Sequence, residues 1–172
     1  SLPQVRPVLN AVIDQVVATE HDELAPAVER VWDTEVATLR ADLHSWLHHL
    51  ALDGAEWLPI HFEFAFGAVP GQRDAASVRE DVVVDGFKLR GAIDLIEEHR
   101  QTRLLRITDH KTGRKPDRIE RAVIAGGTVL QPVLYGVAIQ TLFSRLVYQS
   151  RLFYCTSTGG FFSHPIPISE TT

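Results

Sequence analysis

Apolar residues recur at helical spacing through the first fifty positions. Val8, Leu9, Val12, Ile13, Val16 and Val17 predict a helix over about residues 5–18. Leu24, Val28, Val31, Trp32, Val36, Leu39, Leu43, Trp46, Leu47 and Leu50 continue the pattern over about 22–52, in a second helix that is long or broken near Pro26. The period then changes. Trp57 to Gly67 alternates as a strand does, with Phe62, Phe64 and Phe66 toward a core and His61 and Glu63 on the opposite side. A loop over 68–80 leads to Val82-Val83-Val84 and Phe87-Lys88-Leu89, joined by Asp85-Gly86, a strong hairpin turn. Two further runs rich in Ile and Leu flank the polar stretch Glu97 to Thr102 and predict a second hairpin. After Gly126-Gly127-Thr128 an apolar stretch runs to Val147; Thr128 or the glycines start a helix, and Pro132 is tolerated in its first turn. Arg151–Cys155 and Phe161–Ile166 then pair across Gly159-Gly160. This order predicts an α/β or α+β core, a central mixed β-sheet flanked by helices.

The second hairpin carries the chemistry. With its turn centred near residues 100 and 101, Asp94 stands opposite Ile107 and diagonal to Asp109, within reach of one small cation. Leu105, Ile107, Asp109 and Lys111 share that face, while Arg106, Thr108 and His110 point the other way. His110 therefore offers the site its backbone carbonyl rather than its ring. Two carboxylates and an ammonium on one face can hold a divalent metal and activate water beside a phosphate. Gln131 and Tyr135, four apart, lie on one face of the following helix, where their polar ends can reach the same site.

Taken in order, Gly-x-Ile-Asp at 91–94, Asp-x-Lys-Thr-Gly at 109–113 and Gln-x-x-x-Tyr at 131–135 resemble the PD-(D/E)XK nuclease superfamily, in its RecB-like exonuclease branch that includes AddB-type helicase–nucleases. The resemblance covers about residues 57 to 165. It implies a restriction-endonuclease-like core and a DNA nuclease serving repair or recombination. It also implies Mg²⁺ or Mn²⁺ on Asp94 and Asp109, Lys111 orienting the attacking water, Gln131 and Tyr135 bracing the site and the DNA, and Glu63 as a further residue lining the cleft or holding metal-bound water. A helicase domain or subunit is the implied partner. The branch's early metal-associated His, in a Gly-x-x-x-His context, has no counterpart here; His21, His44, His48 and His49 lack those neighbours. Some members hold an iron–sulfur cluster, but Cys155 alone cannot build a four-thiolate site. With no Met in the chain and an end at Thr172, the expectation is one nuclease domain over 1–172, with a helical part over 1–55 and a nuclease core over 57–168, cut from a longer protein that supplies the missing His and any cluster.

Composition changes the picture at two points. The net charge of −5 runs against nucleic-acid binding, but between Arg100 and Arg121 eight basic residues meet three acids. Arg114, Lys115, Arg118 and Arg121 are thus candidates to guide a phosphate backbone. One cysteine excludes an internal disulfide, and no apolar run approaches the ~20 residues of a membrane span. Both point to a cytoplasmic protein without a membrane partner. His44 and His48 form a His-x-x-x-His pair that could bind zinc, but no third ligand has recognisable spacing. Two other functions stay open: an inactive nuclease-derived DNA-binding or scaffolding module, and a metal-dependent small-molecule hydrolase.

Overall fold

The computed structural model describes residues 2–71, 73–117 and 130–168. Two helices open the chain, α1 (Leu2–Leu24) and α2 (Glu29–Asp53), separated at Ala25, which takes a left-handed φ of 45° just before Pro26. They form a hairpin tied by polar contacts: Arg40 donates to Asp14 at 2.6 Å and the His44 ring meets Asn10 at 2.8 Å. The valines that predicted α1 do not form a buried stripe. Val5, Val8, Val12 and Val16 are exposed and only Ile13 is buried, because α1 packs chiefly on α2 and lies outside the main core.

Seven strands follow: β1 (Trp57–Phe66), β2 (Val82–Val84), β3 (Phe87–Leu89), β4 (Gly91–His99), β5 (Leu105–Lys111), then, after α3 (Leu130–Phe143), β6 (Val147–Tyr154) and β7 (Phe162–Pro167). The main sheet has the order β1-β4-β5-β6-β7 and is mixed: only β5 and β6 run parallel, and α3 lies in the crossover between them, as parallel pairing requires. The β2–β3 hairpin turns on Asp85 and Gly86, both at positive φ, which suits a tight Asp-Gly turn. Helix α3 starts at Leu130, with Pro132 in its first turn; it stops at Phe143, so the apolar run to Val147 is helix and then strand. The expected start at Thr128 lies outside the described residues.

The two sheet faces differ. Against α3 lies an apolar core of Phe64, Phe66, Ile93, Ile96, Leu105, Ile107, Ala138, Ile139 and Val147, with Val82 from the small hairpin. Against α2 the sheet is charged. Glu97 is 1% exposed and accepts from Arg106 Nε at 2.8 Å and its terminal nitrogen at 2.7 Å. Thr108 Oγ1 donates to the same carboxylate at 3.0 Å, and Arg151 reaches it at 3.3 Å. Asp53, at the end of α2, bridges Arg106 at 3.1 Å and Arg151 at 2.5 Å, fastening the helix to β5 and β6.

This network narrows the expected turn at Glu97 to Thr102, which begins only at Arg100. β4 runs on to His99, and Glu97 and Glu98 are buried strand residues because arginines neutralise both; Glu98 pairs with Arg103 and Arg145. The observed register sets Ile96, not Asp94, opposite Ile107. β1 also departs from simple alternation. His61 and Phe64, three apart, both touch Phe143, and their partners Ile96 and Ile93 both enter the α3-side core. Strict alternation forbids this, so both strands slip by one residue at the same level, with Glu63 at a left-handed φ of 52° in β1. Phe62 is consequently 56% exposed and His61 packs inward, the reverse of the alternation expected for them.

Candidate active site

The β4–β5 ladder ends at Leu95 and Thr108. Beyond it β4 stays with β1 down to Gly91, while β5 stays with β6 out to Lys111. The strands fork, and the next residue on each side is an acid: extending the register sets Asp94 directly opposite Asp109. The fork leaves β5 backbone without a β4 partner, and Asp94 takes that role, its Oδ2 accepting the His110 N–H at 2.6 Å. On β4, Asp94 falls at the slip between Ile93 and Ile96, where the alternation breaks.

Asp109 is mostly buried, and the Lys111 ammonium lies 2.6 Å from its Oδ2. That contact is an ion pair without hydrogen-bond alignment, so this buried oxygen retains acceptor capacity. Burial pushes the Asp109 carboxyl above the usual carboxylate range; Lys111 opposes the rise and the charge of Asp94 adds to it. The mutual repulsion of Asp94 and Asp109 is what a bound cation would relieve. A hard divalent ion that keeps several waters and takes one or two carboxylates suits this donor set. Among the described residues no group of three or more His, Cys, Asp or Glu could hold a metal ion.

The remaining candidates are spread around the fork. The His110 ring lies on the α2 side, edge-on to Trp46 and near Phe153, with Nδ1 still 3.7 Å from Asp94 Oδ2. Burial lowers its pKa, and Nε2 has no hydrogen-bond partner among the described residues. Its backbone contribution at Asp94 is the N–H. Glu63 does not join the acids: the left-handed turn of β1 directs it to Arg73, 2.8 Å away. Gln131 donates to the Tyr135 hydroxyl at 3.1 Å on one face of α3. Tyr135 packs edge-on to Phe66 and covers Gly91, where an added Cβ would lie 2.4 Å from the hydroxyl oxygen. Glycine at the start of β4 is thus what admits this tyrosine beside the fork.

Arg114 is exposed and Lys115 lies 4.4 Å over the Phe162 ring; Arg118 and Arg121 fall outside the described residues. The basic excess counted from sequence is smaller in space, since Arg103 and Arg106 are spent on Glu98 and Glu97. His44 is bound to Asn10 and His49 stacks on Phe161, so the two do not converge with His48 as a zinc site. Burial raises the Cys155 thiol, which disfavours a reactive thiolate. Sequence reading missed Asp53, Glu97 and Arg151; the one available signal was Glu97-Glu98 bordering an apolar run without any glycine or proline to make a turn.

A profile of the PD-(D/E)XK nuclease superfamily matches residues 2–162. The chain belongs to that superfamily. The mixed sheet with flanking helices and the forked acidic strands are in keeping with its fold. Members are typically metal-dependent nucleases, which makes DNA the substrate class the membership implies. No curated protein matches the chain significantly.

Proposed function

We propose that this PD-(D/E)XK protein is a Mg²⁺- or Mn²⁺-dependent deoxyribonuclease of the RecB-like exonuclease type, hydrolysing phosphodiester bonds in DNA repair or recombination. The observation that carries the reading is the fork of β4 from β5 immediately before Asp94 and Asp109, with Lys111 2.6 Å from Asp109. Asp94 and Asp109 would hold the cation. When bound, the metal supplies a lowered pKa for coordinated water and charge stabilisation at the phosphate. Asp94 is held by the His110 N–H, so its position depends on the strand and not on a rotamer choice. Lys111, which lies 2.6 Å from Asp109, would orient the attacking water or neutralise a phosphate oxygen. Gln131 and Tyr135 brace the start of β4 and meet the backbone of the strand being cut. Arg114 and Lys115, with Arg118 and Arg121 beyond the described residues, guide that backbone toward the cleft. A cytoplasmic setting and a helicase domain or partner accord with this reading. Among the described residues no helix is long and apolar enough to cross a membrane.

Among the described residues no group of three or more His, Cys, Asp or Glu could hold a metal ion, and this favours as second reading an inactive DNA-binding descendant of such a nuclease. One experiment separates the two. Labelled single-stranded and duplex DNA are incubated with the chain in Mg²⁺, in Mn²⁺ and in chelator. Metal-dependent cleavage that Asp94→Asn and Asp109→Asn each reduce at least about a hundredfold, with unchanged circular dichroism, supports the nuclease; the figure follows from losing several kcal/mol of transition-state stabilisation. DNA binding with no cleavage in either metal refutes activity and leaves the second reading.

A further inference from the structure

A cleft on the α2 side of the sheet, at the tip joining β6 to β7, is not used by the chemistry above. It has a volume of about 380 Å³ and is lined by Arg6 of α1, His44, Ser45, His48 and His49 of α2, and Phe161 of the tip. Among the described residues no acid lines it, in a chain with 22 Asp and Glu against 17 Lys and Arg. We propose that this cleft is a subsite for one nucleotide of single-stranded DNA, the base stacking on the His49–Phe161 pair and the phosphate meeting Arg6. The assignment rests on the DNA reading above and adds to it a strand preference and a position.

Four observations carry it. The rings of His49 and Phe161 are already stacked, 5.2 Å apart at 22°, a flat platform that a further ring can extend. Such platforms accept any base, provided it is unpaired; in a duplex the base faces are occupied by their neighbours. Phe161 sits at a left-handed φ of 49°, which a bulky residue rarely adopts, after Gly160 at 71°. The turn holds it there: Phe161 N–H donates to the Thr156 carbonyl at 3.2 Å, Gly160 N–H to Ser157 at 3.0 Å, and Ser157 N–H to Asp42 of α2 at 2.9 Å. The tip is also fastened to the acidic strand's end, through Cys155 N–H on the Lys111 carbonyl at 3.0 Å and Thr156 Oγ1 on the Thr112 carbonyl at 3.0 Å. The platform is therefore set at a fixed offset from Lys111. Finally, the next residue, Phe162, carries Lys115 at 4.4 Å over its ring and stacks on His164 at 6.4 Å and 19°. Aromatic and basic groups thus alternate on both sides of the tip, as in surfaces that track a single strand. A volume of this size lies within the range of small-ligand sites.

The test is fluorescence anisotropy of the 172-residue chain with a labelled single-stranded oligothymidine and with a duplex of the same length, in Ca²⁺ to suppress cleavage, over a salt series. Phe161→Ala should weaken single-strand binding about 5- to 150-fold, the worth of one stacked base, and duplex binding less than about twofold by the same reasoning. Phe161→Trp should restore it. Arg6→Gln, at an exposed position, should reduce the slope of log affinity against log salt by about 0.7, one phosphate contact on a single strand. If Phe161→Ala does not fold, the Arg6→Gln slope and Phe161→Trp affinity decide. Parent-like single-strand affinity of Phe161→Ala, or a parent-like salt slope of Arg6→Gln where Phe161→Ala does not fold, with the parent binding DNA, overturns the subsite and leaves the nuclease reading intact. Equal weakening of both DNA forms overturns it as a single-strand site. A folded parent that binds neither form overturns the subsite together with the DNA reading on which it stands.

Discussion

Glu97 is the residue whose loss should cost this fold most. Its carboxylate, 1% exposed, is gripped on both oxygens by Arg106 at 2.8 and 2.7 Å, receives Thr108 at 3.0 Å and lies 3.3 Å from Arg151. With Asp53 it balances two guanidinium groups that are themselves 4–5% exposed. Glu97→Ala leaves both cations to Asp53 alone, so the cluster changes from neutral to a net positive charge out of reach of bulk water. Removing one partner of a buried pair costs about 3–5 kcal/mol. Counting the two Arg106 bonds as charge-assisted, at about 1.5–3 kcal/mol each, gives the same scale. That is a large share of the roughly 5–15 kcal/mol that holds a domain folded. At this chain length it translates into a fall in Tm of about 6–20 °C. Asp53→Ala should cost less, because Asp53 is 35% exposed and water can replace part of what it gives. Urea unfolding, followed by tryptophan fluorescence, measures both; Trp57 lies 4.4 Å beneath the Arg106 guanidinium and reports on the cluster directly. A Glu97→Ala loss under about 1 kcal/mol, the value of an exposed pair, or an Asp53→Ala loss as large as that of Glu97→Ala, would show that burial does not set the strength of this cluster.

Two further outcomes follow from local geometry. Gly91→Ala places a methyl group 2.4 Å from the Tyr135 hydroxyl oxygen, so it should destabilise by about 1–3 kcal/mol, as overpacking does, and a Tyr135→Ala background should absorb most of that loss; additive losses in the double variant would show that the two do not meet. Asp74 accepts from the backbone of Ala76 and Phe62 and meets His61, and these bonds, the one from Ala76 first, hold its carboxyl below the usual range. Its contribution is therefore complete above the unfolded carboxylate value of about 3.9 and fades as pH falls through the lower folded value. Asp74→Asn should remove about 1.5–3 kcal/mol at neutral pH and leave a shallower acid limb in stability against pH; an acid limb identical to the parent's would count against these bonds.

Much of this molecule is written in short-range pattern. The strand at 57–66, the Asp-Gly turn at 85–86, the Asp-x-Lys spacing that puts Asp109 and Lys111 on one face, and the four-residue step from Gln131 to Tyr135 are all local, and each follows from short-range pattern alone. The sequence by itself therefore determined the element order, the two strands that carry the acids, and the chain's kinship to a nuclease superfamily. What it could not determine depends on partners far away along the chain. Glu97 and Glu98 resemble turn residues until Arg106, Arg145 and Arg151 neutralise them, and only then does β4 extend to His99 and move the register by two, from Asp94 opposite Ile107 to Ile96 opposite Ile107. The common slip of β1 and β4, which turns Phe62 outward and Glu63 toward Arg73, exists because two paired strands must bend together over one core. The fork at Asp94 and Asp109 arises for a like reason. β5 takes β6 as its parallel neighbour and β4 keeps β1, pairings between segments distant along the chain, and no stretch of sequence holds both sides of that choice.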